Sequence, residues 1–265
     1  MTPDALPGSG QTHTHQDVRT EQVVPLWRRA AAEALGTGLL VAIVVGSGIA
    51  AQQLSPNDTG LMLLENSLAT ALGLAVLIAM FQQLSGAHFN PIVTLADRAL
   101  GARRSIAEIG VFIVAQIAGG IGGAVLANAM FAVPTHISTT DRATTGHFLA
   151  EVVATAGLVL VIFALVRSGR ASAVAPAVGA YIGAAYWFTS STSFANPAVT
   201  IGRIFSDTFA GIAPTSTLPF LGAQIIGAAI GVTLTLLLFP SQKDSQREGR
   251  QGLVDSPHVS LRRSA

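Results

Sequence analysis

The sequence predicts an all-α integral membrane fold of six transmembrane helices and two half-length helices, arranged as two inverted repeats. Half of the 265 residues are hydrophobic and only 11% are charged, whereas a soluble globular protein carries about 25% charged residues. Six apolar stretches are long enough to cross a hydrocarbon core of about 30 Å, which needs roughly 20 helical residues. Two shorter apolar segments contain Asn-Pro, one in each half of the chain.

The six predicted spans alternate with polar connections. They cover residues 30–51, 61–81, 106–132, 148–166, 171–188 and 218–239. The flanking segments 1–29 and 241–265 are polar, so we expect them to be disordered tails around a membrane domain of residues 30–240. The two repeats within this domain cover about 30–132 and 148–240.

The basic residues predict the orientation of the chain. Thirteen of the fifteen fall in the tails or in the connections on the same side of the membrane, and the exceptions are Arg142 and Arg203. Because positive charge concentrates on the cytoplasmic side, we expect a multi-pass protein of the cell's inner (plasma) membrane with both termini in the cytoplasm.

Composition also excludes several functions. A formal net charge of +1 argues against a nucleic-acid partner, which would require a strong basic excess. The chain has no cysteine, hence no thiolate nucleophile and no Cys-built metal site. No Ser-His, Cys-based or His-Glu-x-x-His constellation is visible, so we expect neither an enzyme nor a cofactor or metal site.

The two short segments, 85–100 and 193–206, are too apolar for water-exposed loops and too short to cross the membrane. Asn90 and Asn196 are suited to cap a helix, and Pro91 and Pro197 to its first position. About ten helical residues extend roughly 15 Å, half of the hydrocarbon thickness. Each segment therefore predicts a half-helix.

The halves repeat the same polar residues in the same order. Glu33, Asn90 and Gln116 in the first half correspond to Glu151, Asn196 and Gln224 in the second. Each half has three spans, an odd number, so the second repeat starts on the opposite side of the membrane. The half-helices should then enter from opposite faces and meet near the midplane.

This arrangement predicts a pore. Two helix N-termini place about half an elementary positive charge each at the centre of the bilayer, which repels cations. The asparagine NH2 groups and the unpaired carbonyls of residues 86–89 and 192–195 can hold water or a polyol. Irregular backbone at this depth is tolerated where it is buried or lines a water-filled path.

The segments 85–91 (SGAHFNP) and 193–198 (SFANPA) resemble the twin Asn-Pro-Ala loops of the aquaporin/aquaglyceroporin (major intrinsic protein) family. The resemblance extends over about residues 29–240. It implies a passive channel for small neutral solutes in a lipid bilayer, assembled as a homotetramer with one pore per chain. The second motif ends in Ala198, whereas the first ends in Ile92 instead of alanine.

By offset from the two motifs, the resemblance places the narrowest constriction at four positions. They are Thr70, Ala184, Ser193 and Val199. Water-selective members have a bulky aromatic residue, a histidine and an arginine there, and this sequence has none, so we expect a wider filter without arginine. Such an opening suits glycerol and neutral metalloid hydroxides such as arsenous acid, and a missing arginine in bacterial members suggests metalloid transport.

Several residues allow two interpretations. Glu33 and Glu151 either relay protons or, as the repeat favours, accept hydrogen bonds that hold the half-helices. His88 either lines the pore or packs against its loop. Arg203 lies one turn beyond Val199 and either guards the outer vestibule or offsets the helix dipole. The alternative function is an ion-coupled secondary transporter, which would need a coupling-ion site at a deep carboxylate.

Overall fold

The computed structural model describes residues 24–240, so most of both predicted tails lies outside the described residues. Eight α-helices occupy the described part of the chain. They are α1 (Leu26–Leu54), α2 (Thr59–Ser85), α3 (Pro91–Ala99), α4 (Ile106–Met130), α5 (Thr145–Arg167), α6 (Val174–Phe188), α7 (Pro197–Gly202) and α8 (Pro214–Leu238). Helix α1 begins at Leu26, so residues 26–29 are helical and do not belong to a tail.

Six helices are long and apolar enough to cross a membrane, which confirms the predicted spans. Their mean hydropathy ranges from 1.2 to 2.6, and the fifth span includes a 3-10 turn at Ala171–Ala173 before α6. Leucine and valine side chains cover the outside of the bundle; Leu72, Val76 and Leu237 are each more than 60% exposed. This apolar surface is suited to lipid.

The two remaining helices, α3 and α7, are the half-helices. Helix α3 has nine residues and extends about 14 Å. Helix α7 has only six and continues as a 3-10 turn over Arg203–Phe205, so the second half-helix is shorter and more tightly wound than expected. Because both N-termini lie inside the bundle, the chain returns from each half-helix to the side on which its loop entered.

Three spans precede the second repeat, and the two repeats therefore have opposite orientations, as the sequence predicted. We call the side on which α1 begins and α8 ends the tail side, and the opposite side the far side. Helix α3 and its loop enter from the tail side, and α7 and its loop enter from the far side.

Glycines allow the closest helix contacts, and these also repeat. Gly119 and Gly123 of α4 lie against backbone carbonyls of α1. In the second repeat, a Cβ atom on Gly227 or Gly231 of α8 would lie 2.5 Å from the Val152 carbonyl oxygen or 2.7 Å from that of Ala156, both in α5. These glycine pairs thus pack helices within one chain.

Candidate functional site

The two asparagines cap the half-helices. The Asn90 side-chain oxygen accepts a hydrogen bond from the Ile92 backbone N–H at 2.9 Å. The Asn196 oxygen accepts from the N–H groups of Ala198 at 2.9 Å and Val199 at 3.3 Å. Proline occupies the first position of both helices. The chain stops being extended and becomes helical at these two points because each cap satisfies otherwise unpaired donors.

The same asparagines join the two half-helices tip to tip. The Asn90 Nδ2 donates to the Ala195 carbonyl at 2.8 Å, and the Asn196 Nδ2 donates to the Phe89 carbonyl at 2.8 Å. Each amide NH2 group therefore donates one of its two hydrogens to the opposite loop. Only the second hydrogen of each remains for a molecule between the tips.

The loops leading to the tips have unusual backbone geometry. Ala87 and Phe89 have φ angles of 50° and 49°, and Ser193 and Ala195, at the same offsets from Asn196, have 52° and 46°. Left-handed backbone at residues other than glycine costs on the order of 1–3 kcal/mol each. The surrounding structure must hold both loops in place.

Two buried glutamates supply that support. Glu33 accepts from the backbone N–H groups of His88 at 3.0 Å and Phe89 at 2.6 Å, and from two side chains. Those side chains are Ser85 at 2.6 Å and Gln116 at 2.9 Å. Both carboxylate oxygens of Glu33 are therefore engaged with the first loop.

Glu151 repeats the arrangement in the second half. It accepts from the N–H groups of Phe194 and Ala195, both at 2.8 Å. Its side-chain donors are Ser191 and Gln224, both at 2.7 Å. Since four donors surround each carboxylate, these contacts favour the supporting role over proton relay.

A cavity of about 350 Å³ runs along the tips of both half-helices. One water needs about 10–15 Å³ of such space, so several small molecules fit. Two stripes with a spacing of four residues form much of its wall. They are Thr70, Leu74, Ile78 and Gln82 on α2, and Val174, Val178, Ile182 and Tyr186 on α6. Asn90 and Asn196 lie in the same wall, between the tail-side and far-side mouths.

The family model described as "Major intrinsic protein" matches residues 20–193, well over half of the chain. The chain belongs to the major intrinsic protein family. Its members are transporters and not enzymes, and membership makes this chain a passive membrane channel for small neutral solutes.

Two relatives and one solved structure illustrate the similarity. The chain is 48% identical over 214 residues to the aquaglyceroporin AqpS of Rhizobium meliloti, covering 80% of this chain and 91% of that protein. It is 29% identical to aquaporin NIP6-1 of Arabidopsis thaliana, covering 86% of this chain and 74% of that one. The X-ray structure of the aquaglyceroporin from Plasmodium falciparum has a TM-score of 0.62 at 21% identity, covering 80% and 96%, and shares the fold.

Three of the four residues that the family offsets place at the constriction line the cavity. Thr70, Ser193 and Val199 do so, and the Thr70 hydroxyl lies 3.2 Å from the Tyr186 hydroxyl. The buried Ser193 hydroxyl has no hydrogen-bond partner within the described chain.

Ala184 does not line the cavity, and its assignment to the constriction is wrong. Its side chain is exposed on the outside of α6, whereas Ile182 and Tyr186 face the cavity. A residue two positions away on a helix points about 200° around the axis, so Ala184 cannot share their face. The four-residue spacing of the α6 stripe could have identified Tyr186 from the sequence.

The far-side lining of the cavity thus differs from the small, uncharged side chains expected from the sequence. Tyr186 places an aromatic ring in the wall, and Arg203 places a buried guanidinium there, one turn beyond Val199. The arginine is absent from its usual position in the motif, but the cavity does not lack one.

The remaining candidate residues occupy different places. Ile92 packs with Val159 and Phe163 and does not line the cavity, so the altered first motif changes the core and not the pore wall. Ala198 is also buried outside the lining. His88 lines the tail-side mouth and also packs, because its Nδ1 lies 3.1 Å from the Thr94 hydroxyl.

Proposed function

We propose that this channel passes water and small polyols of the glycerol type. The observation that carries the proposal is the mixed lining at the far-side end of the cavity. Thr70, Tyr186 and the unpartnered hydroxyl of Ser193 offer hydrogen bonds there, and Ile182 and Val199 add apolar surface beside them. A polyol can turn its hydroxyl groups to these polar groups and its C–H groups to the apolar surface without losing hydrogen bonds on entry.

Neutral metalloid hydroxides such as arsenous acid present the same chemistry. They carry several hydroxyl groups and no charge at neutral pH, so the same polar wall can replace their hydration. The similarity to an aquaglyceroporin supports permeation by solutes larger than water. The sequence alone predicts a wide opening lined by small side chains. In the structure, Tyr186 and Arg203 also line the cavity and can donate hydrogen bonds to such solutes.

We also propose the cellular arrangement. The tail side is the cytoplasmic side of an inner (plasma) membrane, because seven of the nine basic residues within residues 24–240 lie on it. The exposed apolar faces of the bundle are suited to lipid and to neighbouring chains in a homotetramer, with one pore in each chain.

The transporter alternative finds less support. A coupling ion would need an available carboxylate beside unwound backbone. Glu33 and Glu151 stand beside such backbone, but each is already surrounded by four hydrogen-bond donors. A channel needs no such site.

Stopped-flow light scattering on proteoliposomes tests the function. We expect permeation of water, glycerol and arsenous acid that rises linearly with the gradient and exceeds that of empty liposomes. If water were the only solute to permeate, the polyol proposal would be contradicted. Saturable uptake coupled to sodium or to pH would favour the transporter instead.

A further inference from the structure

Arg203 occupies an unusual place in the cavity wall. It lies seven residues after Asn196, in the 3-10 turn that continues α7, and its side chain is only 3% exposed. It belongs to the lining of the same cavity as Tyr186 and Val199. The charge therefore stands at the far-side end of the path that any solute follows past the Asn-Pro tips.

Two contacts hold the Arg203 guanidinium in this position. Its Nε donates a hydrogen bond to the Ala210 carbonyl. Its central carbon lies 3.5 Å from the centroid of the Phe194 ring, a close cation–π contact. The structure shows no hydrogen bond from its terminal nitrogens to any of residues 24–240, so these donors remain for a solute in the cavity.

The charge is not neutralised by a carboxylate. Within residues 24–240, no acidic side chain comes within ion-pairing distance of Arg203 or of Arg142. Arg142 lies near the same Phe194 ring, 5.5 Å from its centroid, but two of its three guanidinium nitrogens are engaged with backbone carbonyls. It donates from Nε to the Gly211 carbonyl and from Nη2 to the Phe209 carbonyl.

The tail-side mouth carries different charged residues from the far-side mouth, although the inverted repeat relates the two. Asp97 stands at the same offset from Asn90 as Arg203 from Asn196, and it lines the tail-side mouth. Arg104 contacts Asp97 at 2.9 Å and Glu108 at 2.7 Å, and Glu108 also pairs with Arg29. At that mouth Arg104 offsets the charge of Asp97, whereas no acidic side chain of residues 24–240 lines the cavity beside Arg203.

We propose that Arg203 is a specificity-determining residue of this channel, which supplies from one helical turn beyond Val199 the positive charge of the far-side constriction. The guanidinium repels protons and metal cations before they reach the midplane, and its free N–H groups bind the oxygens of neutral solutes. The inference rests on the proposed channel function. The charge of Arg203 explains how a pore with Val199 in place of the motif arginine keeps an electrostatic barrier against protons and cations.

The test compares Arg203→Met with Arg203→Lys in proteoliposomes. Proton and potassium fluxes are measured with trapped fluorescent indicators, and water and glycerol permeability by light scattering on the same vesicles. We expect Arg203→Met to conduct water while its proton and potassium fluxes rise at least about tenfold over wild type. Arg203→Lys, which keeps the charge, should remain as tight to ions as wild type.

If Arg203→Met conducts water and its proton and potassium fluxes remain as low as those of the wild type, the proposal is overturned. If Arg203→Met conducts no water, Arg203→His provides the second test, because its charge can be switched by pH. We expect potassium leak at pH 8 and its suppression at pH 5.5; a leak independent of pH would overturn the proposal. If only lysine preserved water permeation, Arg203 would be a structural residue and the proposal would fail.

These outcomes separate the inference from the channel function. Water and glycerol permeation through the wild-type protein tests the channel. Ion tightness of variants that still conduct water tests Arg203. A wild-type protein without water or glycerol flux would contradict the proposed function itself.

Discussion

Val199 and Arg203 are neighbours in the far-side lining of the cavity. They are four residues apart on one half-helix, so their side chains lie on nearly the same face, one turn from each other. Val199 is buried in the cavity wall and contributes only methyl groups there. An apolar part of the cavity wall at Val199 therefore lies immediately next to a charged part at Arg203.

Val199→Arg should reduce glycerol and arsenous acid flux more than water flux. A second guanidinium one turn from Arg203 narrows the path and replaces an apolar surface on which C–H groups can rest. Water is smaller and needs no such surface. Stopped-flow light scattering measures the ratio of glycerol to water permeability, which we expect to fall.

Val199→Met is the matched control, because it adds length without charge. It should lower the glycerol-to-water ratio less than arginine does. An equal loss of water and glycerol flux in Val199→Arg would contradict this role of Val199.

The α6 face shows which residue-scale features could be predicted from the sequence. Thr70, Ser193 and Val199 were assigned by their distance from the motifs, and they line the cavity. Ala184 was assigned by the same kind of count across a helix and a loop, and it faces outward. A count along the chain fixes positions next to a motif, such as Ser193 and Val199. The helical period decides which more distant side chains face the pore, as Thr70 does and Ala184 does not.

At the scale of elements, each half-helix depends on a loop whose backbone is strained. The left-handed residues Phe89 and Ala195, directly before Asn90 and Asn196, each donate their N–H group to a carboxylate from a neighbouring span, which holds the loops in this conformation. Helix, loop and glutamate thus act as one unit. The unit occurs twice because the repeat occurs twice.

Glu151→Gln should destabilise the second loop. Glutamine keeps the shape but offers one acceptor oxygen in place of two, so at least one buried donor loses its partner at a cost of about 1–3 kcal/mol. We expect a lower thermal unfolding midpoint in detergent together with reduced water permeability.

Glu65→Gln is a suitable control, since Glu65 has one hydrogen bond, from the Ser55 hydroxyl at 2.8 Å. It should change the unfolding midpoint less. A Glu151→Gln protein with wild-type stability and altered dependence of transport on pH would point to proton relay instead.

The glycine contacts between α1 and α4 give a second prediction at this scale. Gly123→Val should destabilise the bundle, because a Cβ atom there overlaps the Gly38 carbonyl of α1. Overpacking of this kind costs about 1–3 kcal/mol. Thermal unfolding in detergent measures the effect.

Gly122→Val is the matched control on the adjacent position, where a Cβ atom meets nothing within 4 Å. It should leave the unfolding midpoint close to that of the wild type. Equal midpoints for the two variants would contradict tight packing of α1 on α4.

At the scale of the whole molecule, the far-side loops form a polar cover connected through two aspartates. The Thr139 N–H, which donates to Asp207 at 2.8 Å, lowers the pKa of that carboxyl below its ordinary value. The Ser216 hydroxyl, 2.5 Å from Asp141, lowers the pKa of Asp141 in the same way. Both carboxylates tie the loop at residues 138–143 to the rest of the far side.

These pKa shifts predict loosening of the far-side loops in acid. A carboxyl whose folded pKa is depressed stabilises the fold fully above its unfolded pKa of about 3.9, and the contribution disappears as the pH falls through the folded pKa. Hydrogen exchange should show amide protection of residues 138–143 decreasing below about pH 4.

Asp207→Asn provides the comparison, since asparagine cannot titrate. Its protection should be weaker at neutral pH and should depend less on pH. Wild-type protection that stays constant down to pH 3 would contradict the role of these carboxylates.

The sequence by itself determined the six spans, the two half-helices, their inversion and the residues of the Asn-Pro tips. Long apolar runs must cross a bilayer, Asn-Pro pairs start helices, and an odd number of spans inverts a repeat. Only the tertiary structure decided that Arg203 lines the pore without an acidic partner, that Ile92 does not line it, and that Arg104 offsets Asp97 at the other mouth. Those properties depend on which side chains meet across helices distant in sequence, and such contacts are fixed by packing and not by local pattern.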